Sequence, residues 1–212
     1  MLLYKYRTFE QLEFLLDIIV SERLYCSSYS NLNDPFEGML FHMKRGFISF
    51  RGNFHPASQK SVRAVSPVKD AFILKDEPRV CSLSSDPTDV KLWSFYAAGH
   101  TGVTVEIDFD NITDALKVEY EDTLPDYSES GIALLEPKNV LLRKTKAWEY
   151  ESEYRIINDV AYYPISGRVK RVLIGHKASE DRYCLLKKLL PSHIQLVRTR
   201  LDYERVSIVE KR

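Results

Sequence analysis

The residues of this chain whose types and spacing could do chemistry are three glutamates that precede a late apolar run. Glu149, Glu151 and Glu153 stand at alternate positions directly before that run, which predicts a buried strand. At a period of two, all three side chains would point to one face of an extended chain. Like charges on one face repel one another, so either nearby cations pair with them or they face a ligand. The nearby cations are Lys144, Lys146 and Arg155.

A polar turn early in the chain offers a second group of candidates. Asn33, Asp34 and Glu37 surround the pair Pro35-Phe36. Asp34 and Glu37 could supply two carboxylates to a pocket, or the turn could serve only to redirect the chain and pin Phe36 in the core. Turns of this kind are common, which favours the second interpretation.

Two aromatic residues and a histidine form the third group. Trp93 and Tyr96 could stack on a flat ligand, but their apolar helix face favours packing in the core. His100 could act as an acid or a base. A lone histidine after a helix more often binds the last carbonyl groups of that helix.

Several common site signatures do not occur in the sequence. The five histidines show no HxH or HExxH spacing and the three cysteines form no CxxC pair, so no His- or Cys-based metal site is predicted. No serine lies in a GxSxG elbow, and no glycine-rich loop is suited to cradle phosphates. Nucleotide binding by the common helix-terminus devices is therefore disfavoured.

The composition is that of an ordinary soluble protein, with 44% hydrophobic and 28% charged residues. No uncharged apolar run approaches the ~20 residues of a membrane span, and the N-terminus lacks the order of a signal peptide. Cys26, Cys81 and Cys184 are odd in number and far apart, which fits a reducing compartment. We therefore expect a cytoplasmic protein without a membrane partner.

Charge is segregated along the chain although the net charge is zero. Residues 106–136 hold ten acidic residues and one lysine, whereas residues 168–212 hold twelve basic and five acidic residues. Two solvated faces explain this best. A nucleic-acid partner for the basic C-terminal segment has weak support, because aromatic residues are not interleaved with the basic ones. The sequence identifies no other partner.

Hydrophobic periodicity predicts the order of the elements. A helix is expected after Thr8, another from Ser85-Asp86-Pro87 to near Gly99, and a third over Glu180–Leu190; residues 50–75 are expected to form a loop and one helix. The expected strands are Leu2–Tyr6, Arg23–Cys26, Arg79–Ser84, Gly102–Phe109, Val169–Ile174, Ile194–Val197 and Arg205–Val209. This mixture predicts an α+β fold, in which residues 1–212 form a single domain around a mixed, mainly antiparallel central sheet flanked by helices.

Several blocks of the sequence, taken in order, resemble a bacterial family called Domain of Unknown Function 2971. The blocks are Tyr4-Lys5-Tyr6-Arg7, Asn33-Asp34-Pro35-Phe36-Glu37, Val80-Cys81-Ser82-Leu83-Ser84, Leu92-Trp93-Ser94-Phe95-Tyr96, Gly99-His100-Thr101-Gly102-Val103, Lys146-Ala147-Trp148 and Glu151-Ser152-Glu153-Tyr154-Arg155. Together they span most of the chain. The resemblance implies a bacterial protein and no established activity.

A more distant resemblance is to the ADP-ribosyltransferases of the arginine–serine–glutamate class. Arg7, then Ser82 and Ser84, then Glu151 and Glu153 stand in the order of that class, although its middle motif reads Ser-Thr-Ser and not Ser-Leu-Ser. The resemblance implies NAD as cofactor, with Arg7 on its phosphates and a serine orienting a glutamate. Glu153 would be the catalytic carboxylate and Glu151 would activate the acceptor. Departing nicotinamide leaves an oxocarbenium-like ribose that a carboxylate stabilises.

Two other functions stay open at this point. A metal-dependent hydrolase or nuclease would use Asp34, Glu37, Glu151 and Glu153 as oxygen ligands for Mg²⁺. A non-catalytic interaction module would instead use glutamate–arginine pairs to tie strands together. The remaining cleft candidates are Asn33, Trp93, Tyr96, His100 and Arg155.

Overall fold

The computed structural model of the chain describes residues 1–41, 62–66, 71–74, 78–110, 114–124, 136–205 and 207–211. These residues contain four α-helices, which are α1 (Leu12–Ile19), α2 (Val90–Tyr96), α3 (Pro137–Leu141) and α4 (Glu180–Leu189). Short 3-10 helices cover Phe9–Gln11, Tyr29–Asn31 and Lys146–Glu151. The strands are β1 (Leu2–Arg7), β2 (Arg23–Tyr25), β3 (Ser27–Ser28), β4 (Met39–Phe41), β5 (Val62–Ser66), β6 (Ala71–Leu74), β7 (Arg79–Ser84), β8 (Val103–Asp108), β9 (Ala115–Lys117), β10 (Glu119–Glu121), β11 (Arg143–Thr145), β12 (Glu153–Asn158), β13 (Tyr162–Pro164), β14 (Val169–Ile174), β15 (Gln195–Asp202) and β16 (Ser207–Glu210).

A nine-stranded sheet organises the fold. Its order is β16-β15-β14-β8-β1-β7-β12-β9, and β3 pairs with part of β7. Only β14 and β15 are parallel within it; the other neighbours are antiparallel. Smaller sheets join β10 to β11, β13 to β2, and β4 to β6 and β5. The expected α+β class with a mixed, mainly antiparallel sheet is confirmed.

Helices cover both faces of the sheet because alternate residues of its strands are apolar on each side. Leu15 of α1 and Leu186 of α4 belong to the same core cluster as Leu3 of β1. Trp93 of α2 packs on the other face, where its ring meets the edge of Tyr6. Asp89 caps α2 by accepting a hydrogen bond from the Leu92 backbone.

The sheet opens between its two central strands, β1 and β7. All six residues of β1 pair with β8, but Tyr4 and Ser84 are the one described pair that joins β1 to β7. Beyond that pair, the ammonium group of Lys5 donates a 2.5 Å hydrogen bond to the carbonyl oxygen of Ser82. A side chain of β1 therefore contacts β7 at a position where two paired strands would be joined by backbone hydrogen bonds.

Three local expectations need correction. Helix α2 begins at Val90 and not near Pro87, since Asp89 and not the earlier acid caps it. The described parts of residues 50–75 are strands β5 and β6, and the rest of that region lies outside the described residues. Glu149 and Glu151 lie in a 3-10 helix and not in a strand. Among the described helices, none is long and apolar enough to cross a membrane.

Candidate functional site

A cavity of about 490 Å³ lies at the opening between β1 and β7. Alternation along β1 puts Lys5 and Arg7 on the face of Leu3, whereas Tyr4 and Tyr6 pack on the other face. The cavity nevertheless touches side chains of both faces, because the strands do not close the sheet here. Its lining includes Lys5, Tyr6, Arg7, Phe14, Tyr25, Asn33, Ser82, Ser84, Tyr96, Lys144, Glu151, Glu153 and Arg155.

One side of the cavity belongs to a cluster of buried charges, which we call the carboxylate cluster: Glu37, Lys144, Glu151, Glu153 and Arg155. All of these except Glu37 line the cavity. All five side chains are buried. Arg155 is fully buried and binds Glu37 through both terminal nitrogens, at 2.6 and 2.9 Å. The same guanidinium binds Glu153 at 2.8 and 3.1 Å. This arrangement ties the turn before β4 to strand β12.

Lys144 of β11 joins the other two carboxylates of the cluster. Its ammonium nitrogen lies 2.6 Å from Glu151 and 3.3 Å from Glu153. Ser152, between the two glutamates, has a left-handed backbone (φ 45°) and separates the 3-10 helix from β12. Glu149 is exposed and stands apart from this arrangement. The three glutamates are therefore divided into an exposed one and a buried pair.

The surroundings shift the pKa values of the buried pair in opposite directions. Burial raises the pKa of Glu151, against the charge of Lys144. Burial also acts on Glu153, but the charges of Arg155 and Lys144 outweigh it and lower the pKa of Glu153 to about 2. Two carboxyl groups with diverging pKa values are typical of an acid–base pair in which one partner stays ionised.

Both serines of β7 contact the glutamate segment. The Ser82 side chain helps to lower the pKa of Glu153 and so favours its ionised form. The Ser84 hydroxyl donates to the backbone carbonyl of Glu151 at 2.7 Å. Ser82 therefore orients a carboxylate directly, whereas Ser84 positions the backbone that carries the other.

Tyr96 links the cavity edge to Glu151. Its hydroxyl donates a 2.5 Å hydrogen bond to the free carboxylate oxygen of Glu151, and burial raises the pKa of the Tyr96 phenol. The Asn33 amide donates to the same hydroxyl at 2.5 Å. Both oxygens of Glu151 are thus hydrogen-bonded, one to Tyr96 and the other to Lys144.

The opposite side of the cavity, which we call the basic wall, consists of Lys5 and Arg7. Within the described residues, neither side chain forms an ion pair with a carboxylate, and the buried Nε of Arg7 has no hydrogen-bond partner. Burial lowers the pKa of both groups. The Arg7 guanidinium lies 5.6 Å from the centre of the Phe14 ring. An unpaired guanidinium beside a cavity is suited to an anionic ligand.

Four candidates lie outside the cavity lining, which are Asp34, Glu37, Trp93 and His100. Glu37 reaches the site only through its bonds to Arg155. Asp34 is 5% exposed and accepts a hydrogen bond from the Phe36 backbone, so it shapes the turn. Phe36 itself is 51% exposed and is not pinned in the core. Trp93 is fully buried and donates to the Pro87 carbonyl. His100 is buried beside Ser94, at 3.1 Å.

Lys5 and Lys144 complete the cavity although the sequence patterns did not identify them as site residues. Lys5 had a detectable signal, because it lies two positions before Arg7 in a strand whose other residues are apolar or aromatic. Lys144 had none beyond its proximity to the glutamates in sequence. Lys146, the third nearby cation, pairs with exposed Asp122 and takes no part.

The donor set gives little support to a metal centre. Among the described residues, no three His, Cys, Asp or Glu side chains are grouped so that they could hold a metal ion. Glu37, Glu151 and Glu153 instead direct their oxygens to Arg155 and Lys144.

Comparison with known proteins finds no relative of this chain. The chain matches no family model, no curated protein and no solved structure. Its resemblances to Domain of Unknown Function 2971 and to the ADP-ribosyltransferases therefore stay predictions.

Proposed function

We propose that the cavity binds NAD and that the protein transfers the ADP-ribosyl group of NAD to an acceptor or to water. One observation carries this proposal: Arg7 and Glu153, from strands on the two sides of the sheet opening, line the same cavity. The volume of about 490 Å³ lies within the roughly 300–1,000 Å³ that small-molecule sites occupy.

The basic wall supports binding of the diphosphate. Arg7 lines the cavity and brings a positive charge to it, and phosphate oxygens are strong acceptors for guanidinium N–H groups. Lys5 adds a second charge on the same face. Tyr6, Phe14 and Tyr25 give the cavity flat apolar surface for the rings of a nucleotide.

The carboxylates support the transfer step. The bond between ribose C1′ and nicotinamide breaks with its electron pair on nicotinamide, and the ribose develops oxocarbenium character. Glu153, held ionised by Arg155 and Lys144, is suited to stabilise that charge. Glu151 has a raised pKa and is suited to take the proton of the acceptor as its oxygen bonds to C1′.

Nicotinamide release from NAD tests this proposal directly. Wild-type protein is expected to release nicotinamide, and Glu153→Gln to lower the rate by roughly a hundredfold or more. Arg7→Met is expected to raise the KM at least about tenfold through the loss of a charged hydrogen bond. Glu149→Gln changes an exposed neighbour and serves as the matched control with unchanged kinetics. Thermal unfolding of each variant separates lost chemistry from lost structure.

A second candidate function rests on the same ion pairs. Because Arg155 and Lys144 already compensate the carboxylates, the cavity is also suited to bind an anionic small molecule without turning it over. Calorimetry with NAD and with ADP-ribose distinguishes the two functions. Binding without nicotinamide release supports a binding module. The absence of both binding and release, at millimolar NAD, contradicts both candidates.

A further inference from the structure

Two cysteines face each other beneath the basic wall. Cys26 directly precedes β3, and Ser27 of β3 pairs with Val80 of β7. The same antiparallel register puts Cys26 opposite Cys81. Opposite residues of such strands have Cα atoms roughly 4.5–5.5 Å apart, which lies inside the roughly 4.4–6.8 Å that a disulfide spans.

Both side chains point into one region of the core. Cys26 and Cys81 are 0% and 1% exposed and belong to the same cluster of buried residues. Both are free thiols. The Cys26 thiol donates a 3.9 Å hydrogen bond to the carbonyl oxygen of Leu24, and each of the two thiols shifts the pKa of the other. The register and the shared cluster therefore put the two side chains on one face of the paired segments.

The surroundings differentiate the two thiols. The interaction with Cys26, together with the charges of Lys5 and Arg7, outweighs burial and lowers the pKa of Cys81 to about 6. The interaction with Cys81, together with burial, raises the pKa of Cys26. Cys81 thus has the character of an attacking thiolate, and Cys26 that of a resolving thiol.

We propose that Cys26 and Cys81 are a redox pair, which a peroxide converts into a disulfide and a dithiol reductant restores. The Cys81 thiolate attacks one peroxide oxygen and the O–O bond breaks, which leaves a sulfenic acid on Cys81 and, after protonation, one water. The Cys26 sulfur then attacks Cys81 Sγ. The S–O bond breaks, and hydroxide leaves with the thiol proton as a second water. The two sulfurs together supply the two electrons that reduce the peroxide.

The disulfide would change the charge of the cavity. The charge of Lys5 acts on the Cys81 thiol, and Lys5 also lines the cavity, so oxidation removes a negative charge from beside the basic wall. This chemistry does not depend on which ligand the cavity takes.

Peptide mapping after peroxide treatment of the native protein tests the pair. We expect a Cys26–Cys81 cross-linked peptide that dithiothreitol abolishes, and no disulfide between Cys184 and either partner. Cys184 is exposed and serves as the internal control for access of the oxidant. If peroxide oxidises Cys184 while Cys26 and Cys81 both remain alkylatable after denaturation, the pair does not exist.

The two roles are tested separately by single substitutions. With Cys26→Ser, Cys81 is expected to accumulate sulfenic acid, which dimedone traps. With Cys81→Ser, no adduct is expected on Cys26. The wild-type cross-linking rate should already be near its plateau at pH 7, because Cys81 is largely ionised there. A rate that rises about tenfold between pH 7 and pH 8 would mean an ordinary thiol and would overturn the assignment of Cys81.

Discussion

Each side of the cavity contains an arginine, and the two arginines differ in how many hydrogen bonds the protein supplies to them. In the carboxylate cluster, Arg155 touches two carboxylates and a backbone carbonyl, and every one of its nitrogens is used. In the basic wall, Arg7 faces the cavity with a buried N–H group that no described atom accepts. One arginine is satisfied by the protein, and the other is not.

This difference assigns Arg155 to the stability of the fold and Arg7 to the binding of a ligand. A fully paired buried cation stabilises the folded state, because its charge offsets the desolvation of the carboxylates around it. A half-buried cation whose buried N–H group lacks a hydrogen-bond partner, as in Arg7, weakens the folded state. We therefore assign the ligand to the basic wall, and the orientation of Glu153 to the carboxylate cluster.

The largest effect is expected from Arg155→Met. This change leaves Glu37 and Glu153 buried without their shared cation, so the free energy of unfolding should fall by roughly 3–5 kcal/mol. Urea denaturation monitored by circular dichroism measures it. Arg143→Met is the matched control, because that arginine is 36% exposed and its pairs should contribute no more than about 1 kcal/mol. Equal effects of the two substitutions would show that the carboxylate cluster does not depend on Arg155 for its stability.

An intermediate effect is expected from pH acting on Glu153. Its pKa is depressed from 4.5 to about 2, so its contribution is fully present above pH 4.5 and is lost as pH falls toward 2. The shift corresponds to roughly 3 kcal/mol. The difference in unfolding free energy between wild type and Glu153→Gln should therefore be greatest near pH 7 and shrink below pH 4.5.

Glu149→Gln provides the comparison for that titration. Glu149 is exposed, so its substitution should produce a small difference that hardly varies with pH. A Glu153→Gln difference that stays constant from pH 7 to pH 3 would show that Arg155 and Lys144 do not hold this carboxylate ionised.

The sequence predicted the parts of this arrangement that depend on local periodicity. Alternating apolar residues located β7, β8 and β14, and helical spacing located α4. The segment before β12 could not be predicted this way. Glu149 separates from Glu151 because both lie in a 3-10 helix, where side chains two positions apart point in different directions. The left-handed turn at Ser152, whose carbonyl accepts a hydrogen bond from the Ser85 backbone, then leads from Glu151 into β12.

The sequence offered Lys144 and Arg155 as partners of the late glutamates, and both pair with them, but the long-range part of the pairing was beyond the sequence patterns. Arg155 binds Glu37, 118 positions away, and only the folded sheet brings the two together. The sequence identified Arg7 as a candidate but could not show that it lacks a partner. That property depends on the opening between β1 and β7, which no feature of either strand indicates by itself.

The smallest effect on stability is expected from Arg7→Met, although this arginine is as central in the sheet as Arg155. The substitution removes a half-buried charge and a buried N–H group that has no hydrogen-bond partner, and it keeps most of the apolar stem. The substitution also removes the contact of Arg7 with Phe14, which stabilises the folded state by roughly 0.5–1 kcal/mol. Unfolding free energy should therefore stay within about 1 kcal/mol of wild type, while affinity for ADP-ribose falls. A loss above about 2 kcal/mol, comparable to a broken buried hydrogen bond, would instead mean that the protein itself satisfies Arg7, and the basic wall would then be a second structural cluster.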